Sequence, residues 1–233
     1  SYFPQQNITD EQFFDLKSYW LIQNADFELM ENYLIKNQNI DKNLKLVQFL
    51  VDEYLSKSEL KRSCIIFSKI KEIINDDYLS KFNLYCLVNA NKKEEAQLLF
   101  DLKKEAGFED KFFEKKFNYL MGYNDSIDEE ISEKTILDFH LSHRTNPEFK
   151  FDPNETTSKS IWRYLSTSNL LDSIENVDLE DQNKISIIEK ATHERNYTEK
   201  ELYDLYKRFQ FNINQLLSVK QSYKLLSNVE ARA

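Results

Sequence analysis

Glycine and proline are scarce in this chain, which has two Gly and three Pro among 233 residues. Both residue types serve mainly in tight turns and sheet-rich folds, so their scarcity argues against a β-sandwich or β-barrel. Rossmann and P-loop folds need clustered glycines where the backbone approaches phosphate, whereas Gly107 and Gly122 stand alone. These absences favour a helical protein.

Cysteine is also rare, with only Cys64 and Cys86 in the whole chain. Two residues this far apart do not predict a disulfide framework or a zinc knuckle. Both lie in apolar helical patterns, and free cysteine behaves there as a small hydrophobic residue. The sequence therefore predicts that both are buried for packing alone.

Long apolar runs are missing as well. No run approaches the ~20 residues that a membrane helix requires, and Ser1-Tyr2-Phe3-Pro4 lacks the features of a signal peptide. The sequence thus predicts a soluble chain without a membrane span. Since the first residue is not Met, we expect a processed protein or part of a longer chain, located in the cytoplasm, or in the periplasm if a targeting segment was removed.

Charge and hydrophobicity are sufficient for an ordinary globular fold. Hydrophobic residues make up 41% of the chain and charged residues 30%, which argues against wholesale disorder. The net charge of −9 would repel a phosphate backbone, although a local basic stripe could still bind one. The overall balance therefore disfavours nucleic acid as a partner.

Apolar residues recur every three or four positions, the period that aligns them on one face of a helix. No segment keeps a convincing period of two, so helices are predicted throughout. The clearest stripes are Leu44, Val47, Val51, Tyr54 and Leu55; Leu60, Cys64, Phe67, Ile70 and Ile74; Phe113, Phe117, Leu120 and Met121; and Leu202, Leu205 and Phe209.

Several residues mark where helices begin and end. Thr9 with Gln12, and Thr198 with Glu201, fit the capping box that opens a helix. Asp152-Pro153, with Glu155 behind it, predicts a third helix start. Gly107 and Gly122 each follow a helical pattern and predict left-handed stops.

Helix starts recur every ~17–18 residues in the first half, so a helix pair repeats near ~35 residues, the spacing of helical solenoids. The sequence predicts an all-α fold in which antiparallel helix pairs form an α-α superhelix. We divide it into a helical-repeat array over residues 1–123 and a continuing array over 124–233. Irregular stretches at 123–130 and 145–157 mark either a change of packing or two longer loops within one solenoid.

Residues 82–121 resemble a tetratricopeptide-type repeat, with a helix, a turn, and a helix carrying Glu95-Ala96 and Phe100. Leu84 replaces the small residue of the family's first helix, Asn91 replaces the turn glycine, and the closing proline is absent. The resemblance implies a right-handed superhelix with a concave protein-binding groove, and it carries over no catalytic residue.

Residues 130–233 resemble the C-terminal part of uncharacterised bacterial helical-repeat proteins. The resemblance lies in Leu205-Tyr206, in Phe209 with Phe211, and in Ala231-Arg232-Ala233, with residues 136–141 as an upstream anchor. It implies a natural chain that continues past Ala233, and it implies no activity.

His140 and His143 are the sharpest chemical candidates, because residues three apart on a helix could share a metal with an acid such as Asp138. No HExxH motif or second ligand cluster accompanies them, which favours partly buried structural histidines. His193 lies near a predicted helix end, where its charge suits the helix dipole.

Two other groups were considered for catalysis. Paired catalytic carboxylates could come from Asp128-Glu129-Glu130, but neighbouring residues on a helix point in different directions, so a solvated surface is favoured. A nucleophile could come from Ser166-Thr167-Ser168, but this segment lacks the glycines of a nucleophile elbow. A basic stripe interleaved with aromatic residues, as in helical RNA-binding repeats, could be formed by Lys61, Arg62, Lys69, Lys71, Lys111, Lys115 and Lys116.

The aromatic residues, which include Trp20 and Trp162, could serve either a core or an interaction hot spot. We assign no catalytic, cofactor-binding or metal residue. The sequence favours a non-enzymatic helical-repeat binding or scaffold protein whose concave face binds a peptide or protein, with unknown oligomeric state. An RNA-binding helical repeat and a metal-dependent enzyme using His140 and His143 are the alternatives.

Overall fold

A computed structural model describes residues 8–36, 43–67 and 74–233. The described residues form helices and connecting turns, with no β-strand among them. The chain divides into two compact units, unit 1 ending at Phe149 and unit 2 beginning at Lys150. The predicted all-α class is confirmed. No helix in the described ranges is long and apolar enough to cross a lipid bilayer.

Unit 1 contains eight helices in its described residues. They are α1 (Asp10–Asn24), α2 (Phe27–Lys36), α3 (Leu44–Ser56), α4 (Leu60–Phe67), α5 (Asp77–Asn89), α6 (Lys93–Glu105), α7 (Lys111–Met121) and α8 (Ile136–Arg144).

Helix α3 lies at the centre of unit 1. Its Leu46, Val47, Leu50 and Val51 are fully buried, and it contacts α1, α2, α4 and α8. The contact with α8 joins helices far apart in sequence. A stack in which each helix pair contacts only its neighbours would not produce this contact.

Unit 2 contains five helices and a short 3₁₀ turn. They are α9 (Lys159–Thr167), the 3₁₀ turn (Ile174–Asn176), α10 (Gln182–His193), α11 (Glu199–Tyr206), α12 (Ile213–Leu217) and α13 (Val219–Ser222). A cluster of apolar side chains holds this unit together, consisting of Ile174, Ile185, Ile188, Leu205 and Val229.

Most predicted helix ends are confirmed. Both capping boxes are present, with the Thr9 hydroxyl accepting from the Gln12 N–H and the Thr198 hydroxyl from the Glu201 N–H. Helix α7 ends at Gly122, whose φ is 80°. Gly107 has a φ of 92° directly after the end of α6.

The helix start predicted at Asp152-Pro153 is wrong. The Asn154 side chain accepts a 2.8 Å hydrogen bond from the Thr156 N–H, which forms a local turn in place of a first helical turn. Helix α9 begins instead after Ser158, whose hydroxyl accepts from the Ile161 N–H. Asp152 forms an ion pair with Lys184.

The interpretation of Cys64 and Cys86 as packing residues is also wrong, because they form a disulfide. Helices α4 and α5 pack together and bring the two Cα atoms to 5.6 Å, although 22 positions separate them in sequence. Both cysteines are only partly buried.

Candidate binding surface

The two histidines singled out from the sequence have different ring neighbours. His140 is buried, and its Nε2 lies 2.7 Å from the Tyr85 hydroxyl, while the His143 ring packs against Phe149 at 5.1 Å. Burial lowers the pKa of His140 to about 3, helped by the charges of Arg144 and His143. Across the described ranges, no group of three or more His, Cys, Asp or Glu could hold a metal ion.

Asp138, the acid considered as a partner for these histidines, belongs to a buried ion triad. Lys81 on α5 donates to Asp138 Oδ1 on α8 at 3.1 Å and to Asp110 Oδ2, at the N-terminus of α7, at 3.0 Å. Burial lowers the pKa of Lys81, but the two carboxylates outweigh it, so the net pKa is raised. The triad joins three helices of unit 1.

The residues of the predicted basic stripe are largely paired with acids. Arg62 contacts Glu31 at 2.8 Å, and Lys115 lies 3.4 Å from Glu130. Lys116 is fully buried and donates to the Asp128 carbonyl at 2.7 Å. Lys69 and Lys71 lie outside the described residues, and Lys61 and Lys111 are exposed.

The remaining chemical candidates have local partners. Asp128 contacts Lys116 at 3.5 Å, and Glu129 is exposed in the irregular segment between α7 and α8. The Ser166 hydroxyl donates to the Asn196 carbonyl at 2.8 Å, which fixes it as a structural contact. His193 ends α10, the position that suits its charge.

A different surface stands out at the end of unit 2, where large apolar side chains point into solvent. Leu217 is 78% exposed and Leu225 is 88% exposed. The other strongly exposed members of this group are Ile213, Leu216, Val219 and Tyr223. We call these six residues the C-terminal apolar surface.

Beside this surface lies a groove of about 260 Å³, between α12, α13 and the final residues. Its apolar walls are formed by Phe211, Leu216, Val219, Tyr223, Leu226 and Ala231. Leu216, Val219 and Tyr223 belong to both the groove and the C-terminal apolar surface. The groove therefore offers a concave apolar site within a wider apolar patch.

Short local signals build the helices that line this groove. The Asn212 side chain accepts from the Gln215 N–H at 2.9 Å, and the Gln215 side chain accepts from the Asn212 N–H at 2.8 Å, which makes a capping box. Helix α13 follows Ser218 directly, and a helical hydrogen bond of 2.9 Å joins Tyr223 N–H to the Val219 carbonyl. The two short helices are thus ordered without a large buried face.

The end of the chain is fastened to the core of unit 2. Val229 belongs to the apolar cluster, and Arg232 contacts Glu189 of α10 through Nη2 at 2.6 Å and through Nε at 2.9 Å. The Tyr206 hydroxyl donates to the same carboxylate at 2.5 Å. These contacts hold one wall of the groove in a fixed place.

The two tryptophans have different surroundings. Trp162 is buried in α9, whereas Trp20 on α1 is 56% exposed beside Leu16 and Tyr19. The sequence analysis did not single out the C-terminal apolar surface. An apolar run without acids was the one feature of the sequence that could have indicated it, but periodicity alone assigns such residues to a core.

Comparisons with protein families, with curated proteins and with solved structures find no match for this chain.

Proposed function

We propose that this chain is a non-enzymatic binding or scaffold protein that takes up a peptide segment of a protein partner in the C-terminal groove. The observation that carries the proposal is the concave apolar groove, surrounded by leucines that are up to 88% exposed. Exposed apolar area is hydrated unfavourably, and a partner that covers it gains free energy.

The size of the groove supports a peptide as the occupant. Sites for drug-sized molecules usually have volumes of about 300–1,000 Å³, and the groove, at about 260 Å³, is smaller. This space suits one or two large side chains, and the surrounding exposed leucines offer contacts for the neighbouring residues of a peptide.

The proposal keeps antiparallel tetratricopeptide-like helix pairs in unit 1, while the contact of α3 with α8 departs from a simple stack of neighbouring pairs. Two short turns, residues 57–59 and 90–92, make α3 with α4 and α5 with α6 antiparallel neighbours. Asn91 has a φ of 61° at the place where the repeat family has its turn glycine, a conformation that Asn tolerates better than most residues. Ala96 is fully buried where the helices approach.

The contacts of the ionisable residues support a binding role over an enzymatic one. His140 is buried against Tyr85, and Lys81 is held between two carboxylates. The pairing of Arg62, Lys115 and Lys116 with acids weakens the case for an RNA-binding stripe.

The test begins with a phage-displayed library of random dodecapeptides selected on the immobilised full chain. A synthetic peptide with the selected consensus is then labelled with fluorescein and titrated by fluorescence anisotropy. In the double variant Leu216→Ala/Tyr223→Ala, we expect its affinity to fall about tenfold or more, because two apolar walls of the groove are removed.

The matched control is Leu98→Ala/Leu102→Ala, which removes two exposed leucines from α6 in unit 1. It should leave the affinity of the consensus peptide unchanged. Circular dichroism of both variants checks that the helices are retained. Failure to enrich any peptide, or equal binding by the groove variant and the wild type, would refute the proposed site.

A further inference from the structure

The C-terminal apolar surface lies within a run of sequence that contains no acid. Residues 205–229 hold four basic residues and neither Asp nor Glu, although the chain has 40 acids among 233 residues. At that frequency a run of this length would contain about four acids. This run carries a net charge of +4, so the rest of the chain carries −13 of the total of −9.

Two of the four cations are used by the fold. Lys207 pairs with Asp204 at 2.5 Å, and Arg208 donates to the Ile174 carbonyl at 3.0 Å and to the Val177 carbonyl at 2.7 Å. The Arg208 contacts hold the 3₁₀ turn against the end of α11, while the Lys207 pair is local to that end. They leave Lys220 and Lys224 as the cations available to a partner.

Lys220 and Lys224 are both exposed, and neither ammonium group forms an ion pair or side-chain hydrogen bond with any described residue. Lys220 lies in α13 and Lys224 in the hydrogen-bonded turn that follows it, so their four-residue spacing places them about one turn apart. Val219 and Tyr223, which line the groove, precede them directly in sequence. Two unpaired positive charges therefore stand beside the apolar groove.

The carboxylate that lines the groove is already occupied. Glu230 accepts a 2.9 Å hydrogen bond from the Ser227 N–H, and its own N–H donates to the Ser227 hydroxyl at 3.3 Å. This reciprocal cap holds the final turn of the chain. The cap keeps the Glu230 side chain at Ser227, and no ion pair joins it to Lys220 or Lys224 among the described residues.

We infer that the peptide bound in the groove is acidic and amphipathic, placing an aromatic or aliphatic side chain between α12 and α13 and its carboxylates against Lys220 and Lys224. This inference rests on the proposed function, and it adds the chemistry of the partner. Charge complementarity around an apolar anchor selects the partner and speeds the encounter.

An anionic membrane would present similar charges, but it suits the molecule less well. A lipid surface extends over the whole protein and would face the remaining net charge of −13, whereas a short peptide would contact mainly residues 211–226, which contain no acid. Two lysines alone provide only a weak attraction to an anionic membrane. The concave shape of the groove also favours an inserted side chain over a planar surface.

The test uses the dodecapeptide library selection and the double variant Lys220→Glu/Lys224→Glu. We expect the selected peptides to be enriched in Asp and Glu beside a Leu, Phe or Trp. The affinity of the consensus peptide should fall about fivefold or more in the double variant, and it should weaken as the salt concentration rises. A matched control is Lys61→Glu/Lys111→Glu, two exposed lysines of unit 1.

A charge-swapped peptide, with Lys in place of each acid, tests whether the charges of the peptide and the protein interact directly. It should bind the Lys220→Glu/Lys224→Glu variant more tightly than it binds the wild type, which a variant that is merely misfolded would not do. Co-sedimentation with vesicles of phosphatidylglycerol and phosphatidylcholine is measured beside it, and no binding is expected.

Three outcomes would overturn the inference, and they differ in what they say of the proposed function. Apolar peptides without acids, unaffected by lysine reversal, would refute the acidic partner while keeping the groove as a peptide site. Vesicle binding that needs the two lysines, with no acidic consensus, would assign the surface to lipid. The absence of any enriched peptide would remove both proposals.

Discussion

Asp52 on α3 is a partly buried acid, and the Tyr78 hydroxyl of α5 donates a hydrogen bond to its carboxylate. Burial raises the pKa of Asp52 from 3.8 to about 7, and the charge of Glu53 adds to this, while the hydrogen bond from Tyr78 lowers it only in part. The folded protein therefore holds a proton that the unfolded chain releases.

The Asp52→Asn variant should make this titration visible. Between about pH 4 and pH 7 the folded state binds more protons than the unfolded state, so the free energy of unfolding falls as pH rises. Asparagine is neutral at every pH, so the free energy of unfolding of the variant does not fall for this reason. We expect the stability of the variant relative to the wild type to increase by about 2–4 kcal/mol between pH 4 and pH 8.

Urea unfolding of both proteins across this range measures the difference. Asp125→Asn, which changes an exposed acid on the loop before α8, serves as the control. If the difference between Asp52→Asn and the wild type stayed constant with pH, Asp52 would not hold the proton.

At the scale of elements, Lys81 joins α5 to the N-terminus of α7 and to α8, through contacts of 3.0 and 3.1 Å. The side chains of Lys81 and Asp138 are almost fully buried. A buried ion pair stabilises little relative to an apolar pair, but removing one member leaves an uncompensated charge.

Lys81→Met should therefore lower the free energy of unfolding by about 3 kcal/mol, because Asp110 and Asp138 lose their common partner. Lys111→Met, an exposed lysine at the start of α7, should change it by less than about 0.5 kcal/mol. Chemical denaturation measures the free energy of unfolding of both variants. Equal values for the two would argue against a stabilising triad.

Local signals predicted many of the elements, and tertiary partners account for what they did not predict. Thr9 and Thr198 open helices because their capping partners lie three residues away. Asp152-Pro153 carried a similar signal, but Asn154 forms its own turn and Lys184, distant in sequence, pairs with Asp152. A cap that depends on neighbours can be predicted from sequence, whereas a competing long-range contact cannot.

The candidate site was harder to predict, because the spacing of apolar residues does not show whether their side chains face the core or the solvent. Leu216 and Leu217 in the short helix α12, and Leu225 in the turn after α13, are residues of a core type, yet they face solvent. His140 is the opposite case, since its ring is buried and its Nε2 lies 2.7 Å from the Tyr85 hydroxyl of α5.

At the scale of the whole molecule, the Cys64–Cys86 disulfide connects α4 and α5 covalently and relates the fold to its redox environment. Structural disulfides persist in oxidising compartments and are rare in the cytosol of mesophiles. We therefore expect this chain to fold where thiols are oxidised, such as the periplasm or the secretory pathway.

Reduction, or the double variant Cys64→Ser/Cys86→Ser, should lower the free energy of unfolding by about 2–4 kcal/mol, because the unfolded chain regains the freedom of a closed loop. Thermal unfolding with and without a phosphine reductant measures this in the wild type. The double variant is the control and should not respond to the reductant. Two thiols that a maleimide labels in the native, unreduced protein would contradict the bond.

The same disulfide has a consequence for a chain that has been cut. Because it closes a ring from Cys64 to Cys86, a protease that hydrolyses one peptide bond inside that ring opens it without releasing a fragment. Such a nicked molecule would migrate as one species on a non-reducing gel and as two on a reducing gel. Its two pieces would remain tethered at α4 and α5, so cleavage there need not separate the two ends of the protein.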